Sequence, residues 1–337
     1  IDLDGTPNKD NLGGNSMIGV SIACAKVAAK INNQEIYQYL RTLMEIKPSL
    51  RLNSGQARKA PYLFMNLLEG GKHASDSSLP FQEYHIIPET ENVAEAVEIG
   101  IKIQNTLKEI IISELGEESI VLGDEGGFAP KVNDIRKPLV YLAEAVRQNN
   151  LQAKVHLALD VAASSFFENP ARQLAGGDLY KIDGKNVSPD ELIDIYKSLI
   201  TEFNLFSIED PFDEEDFENF TRLCSSNFSE AKKIFVIGDD LTVSNKILLK
   251  KAIDKRSINA IIIKPNQIGT LTETLETMKL ARDNNIELIV SHRSGETDDD
   301  FIADLAYAFH CFGLKAGSPQ KTERMLKYKR LIKITNN

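Results

Sequence analysis

Apolar residues recur at three- and four-residue steps through residues 16–45 (SMIGVSIACAKVAAKINNQEIYQYLRTLME), with polar residues between them. That spacing predicts helix. Residues 46–61 then set Pro48, Gly55 and Pro61 among basic and polar residues and read as a linker, with a boundary near residue 58. Beyond it the pattern changes to short β-branched or apolar runs alternating with long amphipathic stretches. VHLALD (155–160), LFSIED (205–210), IFVIGDD (234–240), AIIIK (260–264), LIVSH (288–292) and GLKAG (313–317) read as strands. Segments 189–203, 245–256, 270–284 and 297–312 read as the helices between them. VLG (121–123) reads as a further short strand that runs into Asp124 and Glu125. Strand then helix, repeated this often, predicts a parallel sheet clothed in helices. It favours a closed (β/α) barrel over an open sheet.

The strand-like runs end in polar residues. Asp160 closes LALD, Glu209 and Asp210 close SIED, and Asp239 and Asp240 close VIGDD. Lys264 closes IIIK, His292, Arg293 and Ser294 follow LIVS, and Lys315 sits in GLKAG. A single Asp in such a place is an ordinary helix N-cap. Lys makes a poor N-cap, so capping leaves the lysines unexplained. In a (β/α) barrel all parallel strands end at one face, where these residues would converge. Asp160, Glu209 and Asp239 then supply an all-oxygen cation site, which suits hard Mg²⁺ better than Zn²⁺. Lysines beside a divalent ion point to an anionic substrate. A lysine flanked by other cations holds its proton less tightly and can act as a base. The set therefore predicts proton abstraction next to a metal-bound carboxylate.

Composition narrows this further. The 337 residues are 42% hydrophobic, enough for two domains or one barrel with an appendage. A net charge of −10 without a basic block argues against nucleic acid and anionic membrane as partners. Cys24, Cys224 and Cys311 are scattered and show no metal spacing, which predicts reduced thiols in a cytoplasmic protein. No apolar run is long enough for a membrane span, and no signal peptide is visible. The chain opens on Ile1 rather than Met, as a piece of a longer chain would.

The motifs as a set resemble the enolase family along essentially the whole chain. They are LDGTPNK (3–9), FMNLLEGGKHA (64–74), QEYHIIP (82–88), GDEGGFAP (123–130), LDVAASSF (159–166), SIEDPF (207–212), GDDLTVSN (238–245), KPNQIGT (264–270), SHRSGET (291–297), FIADLA (301–306) and LKAGSP (314–319). The resemblance implies a TIM-like (β/α)8 barrel with an irregular, partly antiparallel start over residues 58–337. A truncated, mostly helical remnant of an N-terminal α+β domain would precede it over 1–57. The implied activity is the reversible Mg²⁺-dependent dehydration of 2-phosphoglycerate to phosphoenolpyruvate. By motif position, Lys264 resembles the base at C2 and Glu125 the general acid for the C3 hydroxyl. Glu83 resembles the acid's partner, Gln82 a substrate contact, and His73 and His292 the two active-site histidines. Arg293 and Ser294 resemble phosphate contacts, and Lys315 the lysine beside the substrate carboxylate. Asp160, Glu209 and Asp239 match the ligands of a first Mg²⁺. A second would be completed by the substrate phosphate and a serine on a loop ahead of Ile1.

The family also implies a homodimer or a higher even-numbered assembly. A catalytically silent scaffold is the rival reading, should that loop be missing. His85, His156 and His310 are expected in core or surface roles, Asp210 and Asp240 as capping or outer groups, and Asp298–Asp300 at a helix start. Lys321, in QKTER, departs from the family's usual Arg.

Overall fold

The computed structural model describes residues 1–46, 60–71, 77–168, 179–226 and 234–336. The stretch read as helical forms two helices, α1 (Gly14–Ile31) and α2 (Ile36–Leu43). The polar NNQE segment divides them. Asn33 takes a left-handed conformation at φ 52°, and Glu35 then starts α2 through a capping box with Gln38. The linker and the expected boundary near 58 lie outside the described residues, apart from their edges.

The barrel strands are β1 (Tyr62–Glu69), β2 (Glu83–Pro88), β3 (Val155–Asp160), β7 (Ser207–Glu209), β8 (Phe235–Gly238), β9 (Ala260–Ile263), β10 (Glu287–Ser291) and β11 (Gly313–Lys315). A small antiparallel sheet of β4 (Phe167–Glu168), β5 (Leu179–Ile182) and β6 (Lys185–Val187) interrupts them after β3. The eight barrel strands close in the order β1-β11-β10-β9-β8-β7-β3-β2. Pairing is parallel except on the two sides of β2, which runs antiparallel to β1 and to β3. Two consecutive helices, α3 (Val93–Leu115) and α4 (Lys137–Gln148), join β2 to β3. The remaining helices are α5 (Pro189–Phe203), α6 (Phe217–Cys224), α7 (Lys246–Lys255), the short α8 (Pro265–Ile268), α9 (Leu271–Asp283), α10 (Phe301–Ala308) and α11 (Thr322–Thr335).

Helix starts follow local chemistry. Ser188 and Glu191 form a capping box ahead of α5, and Asn92, Asn245 and Thr270 cap α3, α7 and α9. The helix expected over 297–312 begins only at Phe301, whose N–H goes to Asp299 Oδ1 at 2.9 Å.

VLG (121–123) is not a strand of the sheet. Val121 and Leu122 are 45% and 47% exposed, and Leu122 makes only an isolated bridge to Phe128. No barrel edge is open to receive a strand there, so the segment folds back on itself. Phe128 then hooks the loop to β1: it donates to Leu67 O and accepts from Glu69 N–H, both at 2.9 Å. Glu125 therefore stands on a turn docked against β1, not at the end of a strand.

Alternation along each strand links the core to the barrel mouth. Inward positions run Ala260, Ile262, then Lys264; Phe235, Ile237, then Asp239; and Ala158, then Asp160. The lower interior is an aromatic plug in which Phe312 stacks on Phe206 at 5.8 Å and meets Phe235 at 4.5 Å. Gly313 is required beside it, because a Cβ there would lie 2.6 Å from the Phe64 ring. Outward positions such as Ile261, Ile263, Leu288 and Val290 pack under the helices. Helices α1 and α2 dock on the barrel helices: Leu271 N–H reaches Ser21 Oγ at 3.0 Å and Arg41 Nε reaches Ala308 O at 2.8 Å.

Candidate active site

Strand ends and their loops build one pocket of about 270 Å³ at the C-terminal mouth of the barrel. Gln82, Glu83, Glu125, Asp160, Asp239, Lys264, His292, Arg293, Ser294 and Lys315 all line it. Glu209 is buried beside these groups and reaches them through Lys315. His73 lies outside the described residues.

Lys315 is the central cation. It is 2% exposed, and its Nζ lies 2.8 Å from Asp160 Oδ2, 2.9 Å from Glu209 Oε1 and 3.3 Å from Glu83 Oε1. Burial alone would pull its pKa down, but these carboxylates outweigh it and hold the ammonium form firmly. Burial pushes the carboxyls of Asp160 and Glu209 upward. Lys264 forms a tight ion pair with Asp239. Burial pushes the Asp239 carboxyl up and Lys264 overrides it, leaving a net lowering. Lys264 itself is pulled down by burial and raised beyond that by Asp239. Ser244 fixes this strand end. Its Oγ accepts the Lys264 N–H at 2.8 Å and donates to Gln267 Oε1 at 2.7 Å.

Glu125 faces a different set. Asn66 Nδ2 donates to its Oε2 at 3.2 Å, and His292 Nε2 lies 3.1 Å from the same oxygen. The His292 contact is close but off the line of a good hydrogen bond. Arg324 Nη1 stands 2.6 Å from His292 Nδ1, so Nδ1 accepts and Nε2 carries the proton. Burial lowers the His292 pKa against the pull of Glu125, in keeping with a neutral ring. His85, expected as an ordinary core residue, is buried on β2 with Nε2 2.7 Å from Glu83 Oε2.

Several residues that build the site were not picked out as site residues from the sequence. Asn66, Glu69, Ser244 and Gln267 stand inside the quoted motifs, but nothing in their local pattern announces burial. Arg324 is 1% exposed at the start of α11. It spans the pocket wall by donating to Arg293 O (2.6 Å), Ser294 O (2.7 Å) and Asp124 O (3.0 Å). Lys321, the departure noted above, donates to Asp124 O at 2.8 Å. Arg293 is held by Asn266, whose Oδ1 accepts from Nη1 at 2.9 Å.

The donor set fits a hard divalent cation. Glu83, Asp160, Glu209 and Asp239 are buried carboxylates facing two lysines, so buried negative charge is in excess. Among the described residues, the group of three carboxylates whose oxygens all lie within 4.8 Å of one another is Asp210, Asp239 and Asp240, so the expected set Asp160, Glu209 and Asp239 is not drawn together to that span. Asp210 is committed elsewhere, since its oxygens accept the N–H groups of Asp239 (2.9 Å) and Asp240 (2.7 Å). That leaves it a turn-holding role, as the sequence suggested.

A (β/α) barrel with lysines, carboxylates and a glutamate–histidine pair gathered at its C-terminal mouth has the layout of an enzyme active site. Comparison with known proteins narrows the class. Residues 58–337 match the model of the enolase C-terminal TIM barrel domain, and residues 1–40 match that of the enolase N-terminal domain. Enolase of Sulfurisphaera tokodaii is 42% identical over 338 residues, covering 100% of this chain and 75% of the relative. Enolase of Methanopyrus kandleri is 40% identical, covering 99% and 74%. Enolase of Methanocaldococcus jannaschii is 39% identical, covering 99% and 73%. The chain belongs to the enolase family, whose members are glycolytic lyases. Among the described residues, no helix is long and apolar enough to cross a membrane.

Proposed function

We propose that the chain catalyses the reversible Mg²⁺-dependent dehydration of 2-phosphoglycerate to phosphoenolpyruvate, with Lys264 as the base at C2 and Glu125 as the general acid at the C3 hydroxyl. One observation carries the reading: a lysine and a glutamate of suitable chemistry face the same pocket from separate parts of the rim. Lys264 follows β9, and the Glu125 turn docks on β1, three strands away round the barrel. Base and acid can therefore act at neighbouring carbons from different sides, as a stepwise elimination requires.

Asp160, Glu209 and Asp239 would hold the first Mg²⁺, and a second would be completed with the substrate. Bound magnesium supplies the positive charge that makes a proton beside a carboxylate removable. Lys315 sits where it can meet the substrate carboxylate, with Gln82 and His73 as further contacts. Arg293 and Ser294 receive the phosphate. Burial and Lys315 both pull the Lys264 pKa down, while Asp239 and Glu209 raise it. Once those two carboxylates give their charge to a cation, the lowering influences remain and Lys264 can accept a proton. His292, neutral and with Nε2–H toward Glu125, steadies the acid, and Glu83 adds a second carboxylate near it. Residues 1–57 belong, on this reading, to the N-terminal unit and 58–337 to the catalytic barrel. The working form is a cytoplasmic homodimer or higher even-numbered assembly.

The test is phosphoenolpyruvate formation from 2-phosphoglycerate with Mg²⁺ and with chelator, in the wild type and in Lys264→Ala. Turnover that needs Mg²⁺ and falls at least about a thousandfold in Lys264→Ala is expected for a group at the reacting atom. Metal-independent turnover, or a Lys264→Ala enzyme of near-normal rate, overturns the assignment.

A further inference from the structure

We propose that Glu69 is a positioning residue for the general acid, gripping the backbone of the turn that carries Glu125 and so fixing where its carboxyl stands. The inference rests on the reading of Glu125 given above and adds to it a residue that does not touch the substrate.

Glu69 is the last residue of β1 and is fully buried. Its Oε2 accepts the N–H of Glu125 at 3.1 Å, and its Oε1 accepts the N–H of Gly127 in a short hydrogen bond. One side chain thus binds the amides on both sides of Gly126, whose φ of 92° makes the sharp bend. The turn's carbonyls are tied from the other side. Glu125 O accepts from Ser318 N–H at 3.0 Å, Gly126 O from Gln104 Nε2 at 2.9 Å, and Asp124 O from Arg324 and Lys321. Glu69 opposes those pulls.

The glycines around it are shaped to its side chain. A Cβ on Gly123 would lie 2.1 Å from Glu69 Oε2, and one on Gly127 would lie 2.8 Å from Glu69 Cγ. The backbone wraps the carboxyl so closely that a Cβ at either glycine would displace it. Placing a third buried acid next to Glu83 and Glu125 is costly. A residue needed only to fill space would not require a carboxyl.

Two-step chemistry supplies a readout that separates acid from base. Exchange of the C2 proton of 2-phosphoglycerate with solvent deuterium reports Lys264, whereas dehydration needs Glu125 as well. In the Mg²⁺-loaded protein, the near-isosteric Glu69→Gln presents an NH₂ to one of the two amides. Dehydration is expected to slow about ten- to a hundredfold, the scale of a misplaced catalytic group. KM and C2 exchange should stay within about threefold. Gly123→Ala, which pushes the carboxyl off the amides and leaves it in place chemically, should give the same split. Glu125→Gln is the control and should lose dehydration while keeping exchange. Unchanged dehydration in both Glu69→Gln and Gly123→Ala, or parallel loss of exchange and dehydration, overturns the positioning role. Dehydration surviving in Glu125→Gln instead overturns the acid assignment itself.

Discussion

The two ends of this barrel are built from the same strands and solve opposite problems. At the lower end, Tyr62, Phe64, Phe206, Phe235 and Phe312 fill the interior with rings. One buried ion pair sits near them, Arg282 with Glu287, and Arg282 Nη2 also donates to His310 O at 2.9 Å. Its charges balance one to one. At the upper end, where Glu209 and Lys315 stand three residues on from Phe206 and Phe312, a single buried Lys315 serves Asp160, Glu209 and Glu83. Its charges do not balance. The difference teaches where the fold carries stability and where it carries chemistry. A closed pair can be exchanged for apolar atoms at little loss, but an unbalanced set is useful only because something charged is to be handled there.

The widest gap between the ends should appear on removing each cation. Lys315→Met leaves three buried carboxylates facing one another. Turnover should vanish, and unfolding free energy should drop by about 3–5 kcal/mol or more at neutral pH. Arg282→Met strands one carboxylate and should cost about 3 kcal/mol, with kcat within threefold of wild type. Adding Glu287→Leu to Arg282→Met should return most of that loss. Denaturant unfolding and steady-state assays on the same preparations check both ends. If Lys315→Met proves no less stable than Arg282→Met, the upper end is not charge-strained.

A smaller effect should appear with pH. Burial, reinforced by Glu125 and Glu83, pushes the Glu69 carboxyl up to about 8, against the backbone N–H groups that lower it. An unfolded Glu titrates near 4.5. Between those values the folded protein binds the proton that the unfolded chain has lost. This group's contribution is therefore fully present below pH 4.5 and is lost as pH rises through about 8. Wild type should lose stability relative to Glu69→Gln by up to somewhat over 1 kcal/mol per pH unit across that window. Parallel stability–pH curves for the two proteins would contradict the shift.

How much of this was legible depended on whether a feature is local. Ala260, Ile262 and Lys264 announce a strand with a polar end because alternation is a property of neighbours in sequence. Helix 189–203 was readable because Ser188, Pro189 and Glu191 write its start into the chain. The number of strand–helix units already favoured closure of the ring, whereas the antiparallel β2 was not derivable from the pattern and came only with the family resemblance. Val121 and Leu122 misled for the opposite reason: they are apolar like a strand, but no edge was open to take them. Arg324 and Glu69 were missed as site residues because burial of a charge is decided by elements far away in sequence. Arg324 meets His292 across 32 positions, and Glu69 meets Glu125 across 56.

The smallest expected difference concerns backbone strain, which is present at both ends. Val243, in the turn after β8, has φ 41°, a costly conformation for a β-branched residue. Its neighbour Ser244 (φ 55°) uses that turn to hold the Lys264 N–H and Gln267. His310, at the lower end between α10 and β11, has φ 46°, and its carbonyl is held by Arg282. Glycine relieves such strain but loosens the unfolded chain, so each replacement should change stability by under about 1 kcal/mol. The rates should differ. Val243→Gly frees the turn behind the base and should lower kcat a few-fold with KM little changed, whereas His310→Gly should leave kcat alone. Equal kcat in the two variants would mean that the left-handed pair at Val243 and Ser244 only turns the chain, and that Lys264 is held by its ion pair with Asp239 alone.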